Sequence, residues 1–325
     1  MRRREFVALI GASMAAWYRG AEAQQARKYY RVGILTGQFR SEDEDTAAFV
    51  DEMHRNGFEE GRNLAVDHRG IYNPDELKSA AAELVASGPD VLVAFGPRAT
   101  FALKETGTTL PIIFGQVADP VAIGVVKSLA RPGGNVTGVS NFTTDIAAKK
   151  VQLLHEALPR ATKIGAVTQP GNPIHQMLVE QYSAAAAELG LSLVSFPVHE
   201  PSDVARMLDA ALAASVNALI SSPLFVAWVR RREIIEFAAK HRLPTLYSWM
   251  QEARQGGLMS FGPDPLHLAR RLAGYVMKVV AGADPATLPV EQPTNLLLIL
   301  NLKTARAIDM EFPPSLLARA DEVIE

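Results

Sequence analysis

The sequence contains no cysteine. That excludes a disulfide framework, a cysteine nucleophile, a thiolate-bound zinc and an iron–sulfur cluster, and with them a lipid-modified cysteine as membrane anchor. Charge of one sign is also lacking: 33 Lys and Arg stand against 35 Asp and Glu, which leaves no electrostatic footprint for nucleic acid. The seven histidines are scattered, none in a metal-ligand spacing such as His-Glu-x-x-His, so neither a metal nor any other cofactor is expected. Residues 138–142 read Gly-Val-Ser-Asn-Phe and lack the closing glycine of a serine nucleophile elbow. Long apolar runs are missing as well, since nothing after the N-terminal segment approaches the roughly 18 residues of a membrane span. What remains is a chain of 325 residues, 48% hydrophobic and 21% charged, a composition for a folded protein with the length of two domains.

The first 23 residues have a pattern of their own. Three arginines at 2–4, an apolar stretch over 6–17 and Ala21-Glu22-Ala23 read as a secretory signal with a cleavage site before Gln24. Arg3-Arg4-Glu5-Phe6 is also compatible with a twin-arginine signal, so the export route stays open between the two. With no cysteine for a lipid, the expected location of the mature chain is the periplasm.

Strands then alternate with helices. Strands are expected at 31–36, 64–68, 90–95, 111–115 and 138–142, with helices at 43–56, 74–86, 100–105 and 121–129 between or after them. The grammar restarts with strands at 163–168, 192–197, 218–221 and 244–247, helices at 173–189, 202–214 and 226–240, and a short helix near 250. This α/β alternation implies parallel pairing by right-handed crossovers, hence two doubly wound units, each with its own core. Clefts between two such units are the default ligand site.

On an open parallel sheet ligands bind beyond the carboxyl ends of the strands. In the first unit those ends carry Gln38, Gly96-Pro97-Arg98, Gln116, Asp119 and Asn141; in the second, Gln169, Asn172-Pro173, Ser222-Pro223, Tyr247 and Trp249. Amide, hydroxyl and aromatic groups suit a small polar ligand, whereas a catalytic centre would call for paired carboxylates or histidines, which these loops lack. Each residue also has a plainer use. Asp119 either accepts a ligand ammonium or caps a turn, and Arg98 either pairs with a carboxylate or faces solvent. Ser222 is a ligand donor or an N-cap. Tyr247 and Trp249 form an aromatic wall unless one of them packs in the core, where Phe95 is expected. Gly133-Gly134 lacks the spacing of a phosphate loop and reads as a turn. Arg230-Arg231-Arg232-Glu233 reads as a solvated helix face.

Residues 119–138, DPVAIGVVKSLARPGGNVTG, closely resemble the most recognisable stretch of a family of ABC-transporter substrate-binding proteins that includes members binding tryptophan and other aromatic amino acids. The closing run 301–325 is similar to that family's C-terminal segment. The resemblance implies a type I periplasmic-binding fold: two Rossmann-like lobes joined by three crossovers, closing on a ligand by a hinge. On that pattern residues 24–141 with 257–284 form one lobe and 142–256 with 285–325 the other. Residues 258–261 then supply a strand on the return to the first lobe, and 285–291 carry the last crossing. The expected partners are a small amino acid or aromatic carboxylate and an inner-membrane ABC permease with its ATPase, the binding protein acting as a monomer. A sensory receptor serving a kinase or chemoreceptor is the alternative, and an enzyme on the same fold a more distant one.

Overall fold

The computed structural model describes residues 28–37, 44–71, 73–141, 146–170 and 173–325. The expected export signal at 1–23, Gln38 and Asn172 lie outside the described residues.

The first unit begins with β1 (Tyr30–Thr36), α1 (Glu44–Arg55), β2 (Leu64–Gly70), α2 (Pro74–Ala86), β3 (Val91–Phe95), α3 (Pro97–Glu105), β4 (Ile112–Val117) and β5 (Val136–Ser140). The strands form one parallel sheet in the order β2-β1-β3-β4-β5. Its central strands are fully buried runs such as VLVAF, covered by helices on both faces. Local signals set the helix starts. Asn73 caps α2, its Oδ1 accepting from Asp75 N at 3.1 Å ahead of Pro74, and Glu44 and Asp45 sit in the first turn of α1, where the dipole favours them.

The second unit runs through α4 (Ala147–Ala157), β6 (Lys163–Thr168), α5 (Pro173–Glu188), β7 (Ser192–Pro197), α6 (Asp203–Ala213), β8 (Ala218–Ile220), α7 (Phe225–Val229), α8 (Arg231–Lys240), β9 (Thr245–Tyr247), α9 (Met250–Arg254) and β10 (Met259–Pro263). After α10 (Pro265–Val280) come β11 (Leu296–Asn301), α11 (Leu302–Ala307), α12 (Pro314–Leu317) and β12 (Glu322–Ile324). The sheet order is β12-β11-β10-β9-β8-β6-β7, parallel except where β10 meets β11.

Four expectations need correction. The strand at 259–263 does not return to the first lobe; it pairs with β9 and β11 in the second sheet, and the chain crosses only at Asp264, which caps α10 by accepting from Leu266 N. Helix α10 then does belong to the first core, through Leu268, Leu272 and Val276. Residues 285–291 likewise stay with the first unit: Glu291 bridges Val139, Ser140 N donates to Glu291 O at 2.8 Å, and Val290 is buried among first-unit side chains. The last crossing therefore falls at 292–295. The expected helix at 121–129 is a turn, because Pro120 O takes the N–H groups of both Val125 and Val126 and Gly124 follows in the left-handed region at φ 74°. The expected helix at 226–240 is two, broken at Arg230.

One glycine is dictated by sheet geometry. A Cβ on Gly138 would lie 2.0 Å from Phe114 O on the neighbouring strand, so β4 and β5 can pair only without a side chain there. Gly138→Ala is expected to destabilise the protein by about 3 kcal/mol or more, measured by urea unfolding. An unchanged midpoint would show that the strands can separate freely.

Candidate functional site

Parallel pairing brings the ends of β1, β3, β4 and β5 to one edge of the first sheet and those of β6, β8 and β9 to one edge of the second. Segment 118–126 joins the two units. Ala118 packs against the second core, Val125 and Val126 lie in the first, and Ile123 touches both.

At the edge of β3, Gly96 takes φ 87° and ψ 164°, a conformation reserved for glycine, which lets Pro97 open α3 at once. Arg98 stands exposed in the first turn, and Gly37 at the end of β1 lies against it, with Ala99 N and Arg98 Cβ each 3.4 Å from where a Gly37 Cβ would sit. The first-turn N–H groups of α3 thus face the edge with their positive dipole end. Gln116 sits at an irregularity of β4 with φ 58°, and its Nε2 donates to Asp45 Oδ2 at 2.5 Å. This side chain is committed to anchoring the start of α1. Asp119 caps the following turn, its Oδ1 accepting from Val121 N at 3.2 Å and Ala122 N at 2.9 Å. Asn141, just past β5, is 6% exposed; its N–H is held by Val117 O, while its Oδ1 has no partner among the described residues. A buried amide oxygen left unpaired costs free energy, which a donor brought within reach of it would recover.

In the second unit Gln169 is part-exposed beyond β6, and Pro173 opens α5. Ser222 is 3% exposed, and its carbonyl accepts from Leu224 N at 2.7 Å in a tight turn through Pro223. Trp249 is part-exposed at the end of β9. Tyr247 does not form a wall with it. The strand alternation turns the Tyr247 ring into the core among Val167, Leu219 and Ile234, where it is completely buried and burial pushes its hydroxyl well above the usual range. Phe95 is core as expected, edge-on to Phe49 at 6.3 Å. Gly133 and Gly134 are a turn, both at positive φ.

Three buried polar residues escaped the loop-end reading. Lys150 on α4 is 1% exposed, and its Nζ donates to Ser248 Oγ at 2.8 Å. Glu252 on α9 accepts from Ser248 N at 3.1 Å and Trp249 N at 3.0 Å. His175, in the first turn of α5, is 5% exposed, and its Nδ1 has no partner among the described residues. The signals were in the sequence. Lys150 shares the stripe of Ala147, Val151 and Leu154, so a charge lies on the apolar face, and Glu252 has the third-position spacing of a capping carboxylate after Trp249.

The model of the ABC transporter substrate binding protein family matches residues 32–324. The chain belongs to this family. Among the family's curated relatives, a "Tyrosine-binding protein" of Clostridioides difficile is 25% identical over 295 residues, covering 88% of this chain and 83% of that one. A solved structure of an ABC domain in complex with L-Trp, from Streptococcus pneumonia, superposes with a TM-score of 0.84 at 25% identity, over 91% of this chain and all of the other. A conserved domain protein of Vibrio cholerae superposes with a TM-score of 0.85 at 28% identity over the same shares. This protein is therefore a substrate-binding protein of the ABC importer class, which binds a small solute and works with an ABC permease.

Burial lowers the His175 imidazole to about 4, so the folded state holds it neutral. A group whose folded pKa is depressed adds stability above its unfolded value near 6.5 that is lost as pH falls toward 4. The loss is about 3 kcal/mol across that window. Urea midpoints between pH 7 and 4 should fall less steeply in His175→Gln than in the parent; parallel curves would contradict the burial of a neutral imidazole.

Proposed function

We propose that the protein captures a small amino acid, an aromatic one in particular, between its two sheet units and presents it to an inner-membrane permease driven by an ATPase. The single observation that carries this is the pairing of a buried acceptor without a partner among the described residues, Asn141 Oδ1, with the helix N-terminus at Gly96-Pro97-Arg98 on the same sheet edge. An amino acid carries one cationic and one anionic end, and the edge offers an acceptor for the first and N–H donors for the second. Trp249 on the opposing unit supplies a ring for an aromatic side chain. The tyrosine- and tryptophan-binding relatives support the same ligand class.

In this reading the sheet units, 28–141 with 265–291 and 146–263 with 296–325, are the hinge-bending lobes of a monomer. The ligand shifts a two-state equilibrium toward the closed form, and no covalent bond is made or broken. The arginines at 2–4, the apolar run and Ala21-Glu22-Ala23 support export to the periplasm with cleavage near Ala23.

A thermal-shift screen of the protein against L-tyrosine, L-tryptophan, other amino acids, aromatic acids and sugars tests the ligand class. A ligand at a hundred times its Kd stabilises the folded state by about 2.7 kcal/mol. A rise in Tm with L-tyrosine or L-tryptophan is expected, with the ligand recovered unchanged; stabilisation by sugars alone would overturn the ligand class, and turnover the binding role. Asn141→Ala should weaken the bound amino acid at least tenfold by calorimetry, and Gln169→Ala less so. Wild-type affinity in both would move the site elsewhere.

A further inference from the structure

The Lys150 side chain is 1% exposed, and its ammonium is bonded within the second unit, where it reaches the loop ends at the strand edge. The chain of bonds is continuous. Lys150 Nζ donates to Ser248 Oγ at 2.8 Å, and Ser248 Oγ donates to Ser221 O at 2.8 Å, joining the end of β9 to the end of β8. Glu252 closes the other side by accepting the backbone N–H groups of Ser248 and Trp249. Behind this arrangement the Ser248 carbonyl lies against Gly262 of β10, where a Cβ would come within 2.3 Å of it, so the loop has no room to retreat. Helix α4, which carries Lys150, is the first element after the crossing from the first unit.

We propose that Lys150 is a positioning residue for ligand capture, holding Ser221-Ser222 and Ser248-Trp249 in one arrangement through Ser248 and Glu252, so that the protonation of this network sets where Trp249 stands. The clause on capture rests on the amino-acid reading above; the clause on Trp249 does not. Burial pulls the Lys150 ammonium down to about 7 while Glu252 opposes the fall, and burial pushes the Glu252 carboxyl up to about 7 against its two N–H donors and Lys150. The pair therefore gains a proton below neutrality and loses one above it. Among the described residues, Arg231 of α8 acts on Glu252, Glu252 acts on Tyr247 of β9, and α5, which packs on α4, carries the buried Tyr182 and His175. Tyr247 stays neutral throughout, because burial holds its hydroxyl above the range, as it does that of Tyr182; His175 titrates near 4, outside the window.

The test uses the full chain with Trp17→Phe and Trp228→Phe, which leaves Trp249 as the single tryptophan. Its emission in ligand-free protein is followed from pH 5.5 to 8.5. A step with its midpoint between about 6 and 8 is expected. Lys150→Met removes the cation that stabilises the Glu252 carboxylate and should move the midpoint up. Glu252→Gln removes the anion that stabilises the ammonium and should move it down, while its amide oxygen still accepts the two N–H groups. Opposite displacement is the signature of a coupled pair; a side chain that merely fills space would not produce it. Should Lys150→Met not fold, the downward shift in Glu252→Gln decides alone. A flat profile in the parent, or equal midpoints in both variants, overturns the proposal. In parallel, Lys150→Met should weaken L-tyrosine or L-tryptophan at least tenfold by calorimetry, and wild-type affinity would overturn the capture clause. If the parent binds neither amino acid, the ligand reading fails and the emission profile still decides the role of Lys150.

Discussion

Parallel strand pairing is the constraint on which everything else rests. When β1 to β5, and separately β6 to β10, run in the same direction, every connection must return across a face of the sheet, and every strand ends on the same edge. Helices then cover both faces, which is why the central strands are almost wholly apolar and why polar chemistry is confined to the ends. Residues as far apart in sequence as Gly37, Gly96 and Asn141 come to one edge for that reason alone. The demand for close pairing also removes side chains where strands approach too nearly, as at Gly138 against Phe114 O.

The same constraint makes charge beneath the edge expensive, and the second unit nonetheless places an ammonium and a carboxyl there. Burying either alone would cost several kcal/mol. Lys150 and Glu252 reduce that cost by facing one network, with Ser248 between them giving and receiving bonds and two backbone N–H groups on the carboxylate. The outcome is a pair whose two members are both pushed toward neutrality near pH 7, in a position bonded to the loop at the end of β9. A hydrophobic pair of the same volume would hold the helix as well; what it would not do is tie two separate strand ends to each other through oriented bonds.

The architecture was readable because the α/β alternation is periodic and many of the strands lie next to Gly or Pro; the resemblance of residues 119–138 then supplied the family. What the sequence hid were competitions decided by tertiary contacts. The strand at 259–263 has the same apolar character whichever sheet takes it, and only its pairing with β9 and β11 assigns it. Residues 121–129 have helix formers, but Gly124 and the double acceptor at Pro120 end the turn after one cycle. Among the candidate site residues, side-chain direction decided. Tyr247 and Ser248 are neighbours on one strand end, and the two-residue period sends the first into the core beside Leu219 and the second toward α4. Gln116 and Asp119 stand at the edge, where Gln116 Nε2 donates to Asp45 and Asp119 Oδ1 accepts two backbone N–H groups.

A binding protein of two units must be less comfortable empty than full, or closure would not wait for the ligand. On the ligand reading proposed above, Asn141 is where that bias is built. Its N–H is satisfied by Val117 O, so the backbone is fixed, but the buried Oδ1 is not satisfied, and an unmade hydrogen bond of that kind costs about 1–3 kcal/mol. The ligand that supplies the missing donor recovers that free energy only in the state where it reaches Asn141. A solute that fits the cleft but lacks a donor at that point recovers nothing, however well its apolar part packs against Trp249. On that reading, discrimination between an amino acid and a plain aromatic acid follows from one oxygen that has no partner among the described residues and is held rigid by the sheet beneath it.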